Sequence, residues 1–506
     1  MPFFSRSPLA VGAAGPSAPS GSSFAASAAM EGNLSAAALF SQAARGGAFL
    51  AARYGLGVLV SLGNMLVMTW WIGPHAYGLF VTAAGLVTFF GALARMGVDV
   101  YLVRAKAAPD QRSYGVATTL ILAISTTLTL AGLGFVPLLI RWYGSGEFVG
   151  PYIALLLTVP LTALAGVPTA RLERDLNFTV LAGVELGGQS LGLVLAAAAA
   201  LCRFGVWAPV SGYVAWQVFI LAGTFSVSRL APRLSLDKRL AREMLAYGFG
   251  VTASLRAWEL RSLINPLVVG RIAGVEAVAF VAVALRIAEA MGSFRRAAAR
   301  LVIATLSRLQ NRRGEFGVAL ERALCWQIVS LGPLLCIFGL LGPLAVRYVM
   351  GARWMPSLAL YPFIAAGVLV NSVYNLQASA LFVLGRHWVV MRAYALNLGL
   401  LGAGAFVLLP RFGIRGYGWA EIAACAAYGL IHAGLRDFAA ISYRRLLPWL
   451  VVFLALLFAS SAHLQSAGAQ LILVPTPVTS RDETPRYGET PSRRDRPFPR
   501  HEKRAG

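Results

Sequence analysis

Two short clusters of charge interrupt otherwise apolar sequence: Arg256, Glu259 and Arg261, and then Arg286 with Glu289. Each lies in a stretch long enough to cross a bilayer as a helix. A charge at the bilayer centre costs about 2.5–3.5 kcal/mol on insertion scales, so each needs a reason to be there. Two readings stand side by side. Arg256/Glu259 and Arg286/Glu289 are i,i+3 pairs, so each pair can neutralise itself on its own helix. Alternatively the arginines wall a polar cavity and grip phosphate, because a guanidinium presents its N–H groups as a fork that matches phosphate oxygens. The surplus of arginine over glutamate around Arg261 tilts the second reading toward an anionic ligand.

Further candidates lie outside these clusters. Arg45 and Arg53 share one helical face at the start of the first apolar stretch. Arg53 is the deeper and is expected to face the same cavity, while Arg45 reaches headgroups at its mouth. Glu185, beside Gly183, Gly187 and Gly188, is a lone acid in an apolar segment; it and Glu289 are the carboxylates placed to couple an ion, or to serve in packing. Arg295, Arg296 and Arg300 open the most basic connection, where they anchor topology or attract anionic headgroups. Cys202, Cys325, Cys336 and Cys425 are scattered without metal-ligand spacing, so neither a metal site nor a cofactor is expected.

The elements that must position these residues are helices in lipid. The chain is 58% hydrophobic and only 13% charged, against about 25% charged residues for a soluble domain. Apolar segments recur at 47–71, 79–98, 114–140, 151–170, 179–201, 206–228, 247–270, 278–301, 323–346, 357–384, 388–409, 416–436 and 446–463, each near the ~20 residues that span a bilayer as helix. The alternating ~10-residue segments of a membrane β-barrel are absent. Every second connection is basic. The segments 95–112, 171–177, 229–243, 295–322, 385–392 and 436–445 hold 23 Lys and Arg, whereas the intervening connections hold 7. That asymmetry predicts an all-α, multi-pass membrane protein with a cytoplasmic N-terminus, and it accounts for the +23 net charge without nucleic acid. The outer connections are short, with Glu147 and Glu276 their only acids, which argues against an enzyme such as a membrane polymerase or ligase.

The expected organisation is a disordered cytoplasmic leader (1–34), a six-helix bundle (35–228), a cytoplasmic linker (229–246), a second six-helix bundle (247–440), an additional transmembrane helix (441–468) and a disordered basic tail (469–506). The halves echo each other. Gly73-Pro-His-Ala-Tyr-Gly78 after the first span and Gly274-Val-Glu-Ala-Val-Ala279 after the seventh place small residues at both ends of a turn, and the basic connections repeat in step. Such duplication is the habit of secondary transporters, with a binding site between the halves.

Several runs carry a resemblance. Trp70-Trp-Ile-Gly-Pro-His-Ala-Tyr-Gly78 resembles the "LGPxxYG" turn of polysaccharide exporters. Arg95-Met-Gly-Val-Asp-Val-Tyr-Leu-Val-Arg104, Ala170-Arg-Leu-Glu-Arg-Asp-Leu-Asn-Phe178, Asn265-Pro-Leu-Val-Val-Gly-Arg-Ile-Ala-Gly274 and Ala304-Thr-Leu-Ser-Arg-Leu-Gln310 are similar to further motifs of the same group. Together they resemble the O-antigen and exopolysaccharide flippase branch of the multidrug/oligosaccharidyl-lipid/polysaccharide exporter superfamily. Asn265 stands where that family usually has Asp, which removes a carboxylate from the position. The resemblance implies rocking of two bundles and passage of an undecaprenyl-diphosphate-linked oligosaccharide across the bacterial inner membrane. It also implies membrane lipids, a polysaccharide polymerase and a chain-length regulator as partners. Arg53, Arg256, Arg261, Arg286 and Glu259 would then face the diphosphate and sugar. The alternative within the superfamily is a multidrug antiporter, which an arginine-rich cavity suits less well than an acidic one would.

Overall fold

The computed structural model describes residues 55–471, apart from 58, 106–107, 232, 257–258, 293–301, 304–305, 311 and 440. Arg45, Arg53, Arg295, Arg296, Arg300, the leader and most of the basic tail lie outside the described residues, as do the side chains of Arg256 and Glu259.

Helices account for every expected crossing within that range, and no strand occurs among the described residues. Among the described residues eight helices are long and apolar enough to cross a membrane, and two shorter apolar ones flank them at Gly55–Trp71 and Leu447–Ser460. The chain is therefore a multi-pass, all-α membrane protein. The first half comprises α1 (Gly55–Trp71), α2 (Gly73–Arg95) with its continuation α3 (Val98–Arg104), and α4 (Gln111–Gly134) continued as α5 (Val136–Tyr143). Then follow α6 (Val149–Leu156), α7 (Val159–Leu164) and α8 (Gly166–Arg174), which make one leg broken at Pro160 and near Pro168, and the hairpin α9 (Phe178–Leu201) and α10 (Trp207–Ser228). The second half runs through α11 (Lys238–Arg256), α12 (Gly270–Ala273), α13 (Val275–Met291), α14 (Arg313–Ala345), α15 (Pro356–Val383), α16 (His387–Phe412), α17 (Arg415–Ala424), α18 (Gly429–Arg436) and α19 (Leu447–Leu471).

Close helix contact depends on small residues, since in lipid it is packing and not water exclusion that joins helices. In α9 and α10, Gly192 and Gly212 face each other so closely that a Cβ on either would strike the other's carbonyl oxygen. The corresponding hairpin of the second half, α16–α17, uses the same device: Gly416 sits against the backbone of Leu408, and Gly404 against Ala420. α15 is the most enclosed element and forms the centre of the second bundle.

Two local breaks differ from expectation. The segment expected to run unbroken over 79–98 is interrupted, because Met96 (φ 44°) and Gly97 (φ 69°) turn the chain left-handed between α2 and α3. The linker expected over 229–246 is shorter than that. The Asp237 carboxylate accepts from the backbone N–H groups of Arg239 and Leu240 at 3.0 and 3.2 Å, so a helix starts at Lys238. These same bonds, with that from Leu240 foremost, hold the Asp237 carboxyl below the ordinary aspartate range.

Candidate functional site

The two halves meet at one end through the turns that the sequence repeat singled out. Gly73 and Gly274 both adopt positive φ (74° and 85°), as a sharp turn between helices requires. Gly78, one turn into α2, packs directly on the backbone carbonyl of Val275 at the start of α13, where a Cβ would collide. Around this contact the second half grips the first by its backbone. Trp354 Nε1 donates to the Thr69 carbonyl at 2.8 Å, and Arg353 Nη2 to that of Trp70 at 2.5 Å. In the other direction Trp142 Nε1 and Tyr143 Oη donate to the carbonyls of Leu267 and Pro266, both at 2.9 Å. Trp354 is fully buried and stands edge-on to Tyr77 of α2 and to Phe280 of α13, with ring centroids 5.7 and 6.0 Å away. That end is closed.

Just inward of this seal lies a cavity of about 370 Å³ between the halves, lined by α1, α2, α9, α10, the broken helix before α12, and α13. It runs along α2 from Tyr77 to Thr88, roughly 16 Å at 1.5 Å per residue. The wall from the second half is irregular. A 3-10 turn at Glu259–Leu263 is followed by a π-turn at Asn265–Val269, where Pro266 brings no N–H to the helical ladder. Interrupted helices beside a central cavity are a familiar way of offering polar backbone and side chains at membrane depth.

Among the described residues, three buried polar atoms of the lining make no hydrogen bond: Gln189 Oε1, Trp216 Nε1 and Asn265 Oδ1. Asn265 spends its Nδ2 on the Val278 carbonyl at 3.2 Å, which ties the broken helix to α13 and leaves its oxygen over. Such atoms cost free energy unless a ligand or water meets them. One cation joins them. Arg286 projects from α13 into the cavity and donates to the Ser61 hydroxyl at 3.2 Å, with no acidic partner within ion-pair distance among the described residues. It lies eleven residues beyond Val275, hence about 16 Å along the helix, near the middle of a ~30 Å hydrocarbon core.

The local pair expected between Arg286 and Glu289 is thus not made; the guanidinium turns across the cavity to α1 instead. Arg261 has a different setting. It lies in the second bundle, bridging α16 and α17: its Nη2 pairs with the Glu421 carboxylate and its Nε donates to Asn397 Oδ1 at 3.2 Å. Both partners are largely buried (17% and 7% of the side chain exposed), and Arg261 is not among the residues that line the cavity. Glu185 is half-buried on α9, one turn before the cavity residue Gln189 but not itself in the lining, and Glu289 is exposed one turn inward of Arg286. Asn64, Gln189, Tyr213 and Trp216 are lining residues that the sequence reading did not select; only their recurrence on the inner faces of α1, α9 and α10 could have suggested them.

At the opposite end α11 reaches across to the first half. Gly248 packs on the Met96 carbonyl, Tyr101 Oη donates to Glu243 Oε1 at 2.9 Å, and the rings of Tyr101 and Tyr247 meet edge to face.

Comparison with known proteins agrees with this architecture. A family model described as "Polysaccharide biosynthesis protein" matches residues 67–359. The succinoglycan biosynthesis transport protein ExoT of Rhizobium meliloti (strain 1021) is 26% identical over 183 residues, which cover 36% of this chain and only 37% of that protein. Among solved structures, the lipid II flippase MurJ in an inward closed conformation aligns over 85% of this chain and 99% of its own, with a TM-score of 0.64 and 13% identity. An inward-facing multidrug resistance MATE family transporter of the MOP superfamily aligns over 75% and 94%, with a TM-score of 0.58 and 15% identity. At such identities these two establish the fold alone.

Proposed function

The chain belongs to the polysaccharide biosynthesis protein family, and from that premise we propose that it flips a polyprenyl-diphosphate-linked oligosaccharide across the bacterial inner membrane, with its N-terminus in the cytoplasm. The observation that carries this reading is Arg286. It is a permanently charged group near mid-membrane, facing a cavity between two helical bundles, and among the described residues a neutral hydroxyl alone receives its N–H groups. A diphosphate supplies what it lacks: negative charge and oxygens spaced for a guanidinium fork. The unpaired amide oxygens of Gln189 and Asn265 and the Trp216 indole N–H suit sugar hydroxyls, which both donate and accept.

In this scheme the sugar and diphosphate occupy the cavity while the prenyl chain stays in lipid. The bundles 35–228 and 247–440 rock about the cavity, and the outward step breaks the seal at Gly78–Val275. Arg53, which precedes α1 in the sequence, and Arg256, the last residue of α11, extend the same cationic wall. Glu259 balances it, and Glu185 and Glu289 serve ion coupling. Arg45, Arg295, Arg296 and Arg300 gather the headgroup at the inner mouth. Arg261, already paired with Glu421, holds the second bundle's wall in place. A cationic drug would meet the wrong sign of charge at Arg286, which disfavours antiport of such compounds.

The test is leaflet translocation of a fluorescent polyprenyl-diphosphate oligosaccharide in proteoliposomes. Arg286→Ala is expected to reduce flipping at least tenfold, and Arg286→Lys to retain an intermediate rate, because it keeps the charge but loses the fork. Wild-type rates in Arg286→Ala, with normal folding, would remove the assignment.

A further inference from the structure

A second cleft, of about 650 Å³, opens between the basic start of α14 and the segment that leads into α19. It shares no lining residue with the central cavity. By the alternation of the helices it lies at the end of the molecule where α11 and the other basic connections gather, opposite the Trp354 seal. Three arginines surround it: Arg322 from α14, and Arg444 and Arg445 from the approach to α19. All three are exposed, and none has a hydrogen bond or ion pair among the described residues. The acid present, Glu321, is already committed, because it accepts the backbone N–H of Ser442 and so pins the approach segment against α14. One turn deeper on α14, Trp326 is 73% exposed beside an apolar floor that includes Val329 and Leu446.

We infer that this cleft binds the headgroup of an anionic membrane phospholipid. Three unpaired guanidinium groups match a phosphate and a second acidic or hydroxylated headgroup function. A tryptophan one turn further in sits at the level where indoles favour the boundary between headgroup and acyl chain. Positive charge held beside a pocket that opens to lipid distinguishes this arrangement from basic residues scattered on a connection, which attract the surface only diffusely. The bound lipid would bridge α14 and α19, which also pack through Gly332 against the Phe453 ring. The inference rests on the membrane-spanning fold and not on the transported substrate.

The experiment uses the full chain reconstituted in phosphatidylcholine vesicles, with brominated phosphatidylglycerol or brominated phosphatidylcholine as quencher of tryptophan emission. A parallel Trp326→Phe protein isolates the signal of Trp326. Quenching of that signal should reach half-saturation at an about hundredfold lower mole fraction of brominated phosphatidylglycerol than of brominated phosphatidylcholine. Replacing Arg322, Arg444 and Arg445 together by Gln should shift the half-saturation about a hundredfold, at about fivefold per arginine. Arg444→Gln alone, which leaves Glu321–Ser442 intact, should shift it about fivefold and serves if the triple variant does not fold. Equal quenching by the two lipids, or an unshifted curve in the folded variants, would overturn the inference. So would displacement by a polyprenyl diphosphate but not by unlabelled phosphatidylglycerol, which would make the cleft a mouth for substrate. Arg286→Ala protein should keep the lipid signal whatever its transport, so the two proposals fail separately.

Discussion

Trp354 is the side chain on which the closed end of the central cavity depends most, and its contribution can be estimated part by part. Its indole N–H bond to the Thr69 carbonyl crosses between the halves and is worth about 1 kcal/mol net. Its edge-on contact with Tyr77 also crosses, and such ring pairs contribute about 0.5–1.5 kcal/mol. The contact with Phe280 stays within the second half and drops out of the balance. Trp354→Ala should therefore favour opening at this end by about 1.5–2.5 kcal/mol, or roughly ten- to sixtyfold in population at 1.4 kcal/mol per tenfold. Trp354→Phe keeps a ring but loses the N–H, and should give about fivefold. Both can be read from a cysteine at Ala84, in the cavity wall, in a background where Cys202, Cys325, Cys336 and Cys425 are replaced. The measured quantity is the rate of its modification by a membrane-impermeant maleimide applied from the side on which the Trp354 seal lies. If the folded Trp354→Ala protein were labelled at the parental rate, or if Trp354→Phe were labelled as fast as Trp354→Ala, this partition of the seal would be wrong.

Other outcomes follow from the same contacts. Gly78→Val would drive a side chain into the Val275 carbonyl, so it should hold the seal ajar, raise labelling at position 84 and slow transport, with little change if the seal is irrelevant. Glu421→Ala leaves Arg261 buried without its carboxylate and should destabilise the second bundle by about 3–5 kcal/mol, lowering the thermal unfolding temperature in detergent. Arg261→Met with Glu421→Met should recover most of that loss, and equal melting of the single and double variants would contradict it. Gly212→Val should impair folding through the Gly192 carbonyl, seen as loss of monodisperse protein on size exclusion, whereas Gly183→Ala on α9, where a Cβ meets open space, should not lose it.

Helices and their alternation were legible because their cause is local: some twenty apolar residues with basic ends say enough by themselves. The turn at Gly73 and its counterpart at Gly274 were legible for the same reason, since positive φ and close packing both select small residues. Arg286 was found as a charge inside a span, but its geometry was not. Helical spacing pointed to Glu289, while the structure offers Ser61, far away in sequence and adjacent across the cavity. Arg261 shows the same limit more sharply, since its carboxylate is at Glu421 on another leg of the fold and no periodicity connects them. Gln189 and Trp216 looked like ordinary members of apolar helices, and Asn265 stood out only as an amide where a carboxylate is usual; what marks all three is an unmet hydrogen-bonding atom, which exists only once neighbours are placed.

The position of α11 has a practical consequence. By sequence it opens the second half, yet it packs on the first through Gly248, Tyr101 and Glu243. The mechanical border between the halves is therefore the irregular stretch around Glu259–Val269, not the linker after Ser228. Splitting the gene to make two co-expressed fragments at residues 229–237 would strand α11 on the wrong piece. A cut beside Arg256 would leave it with the half it embraces.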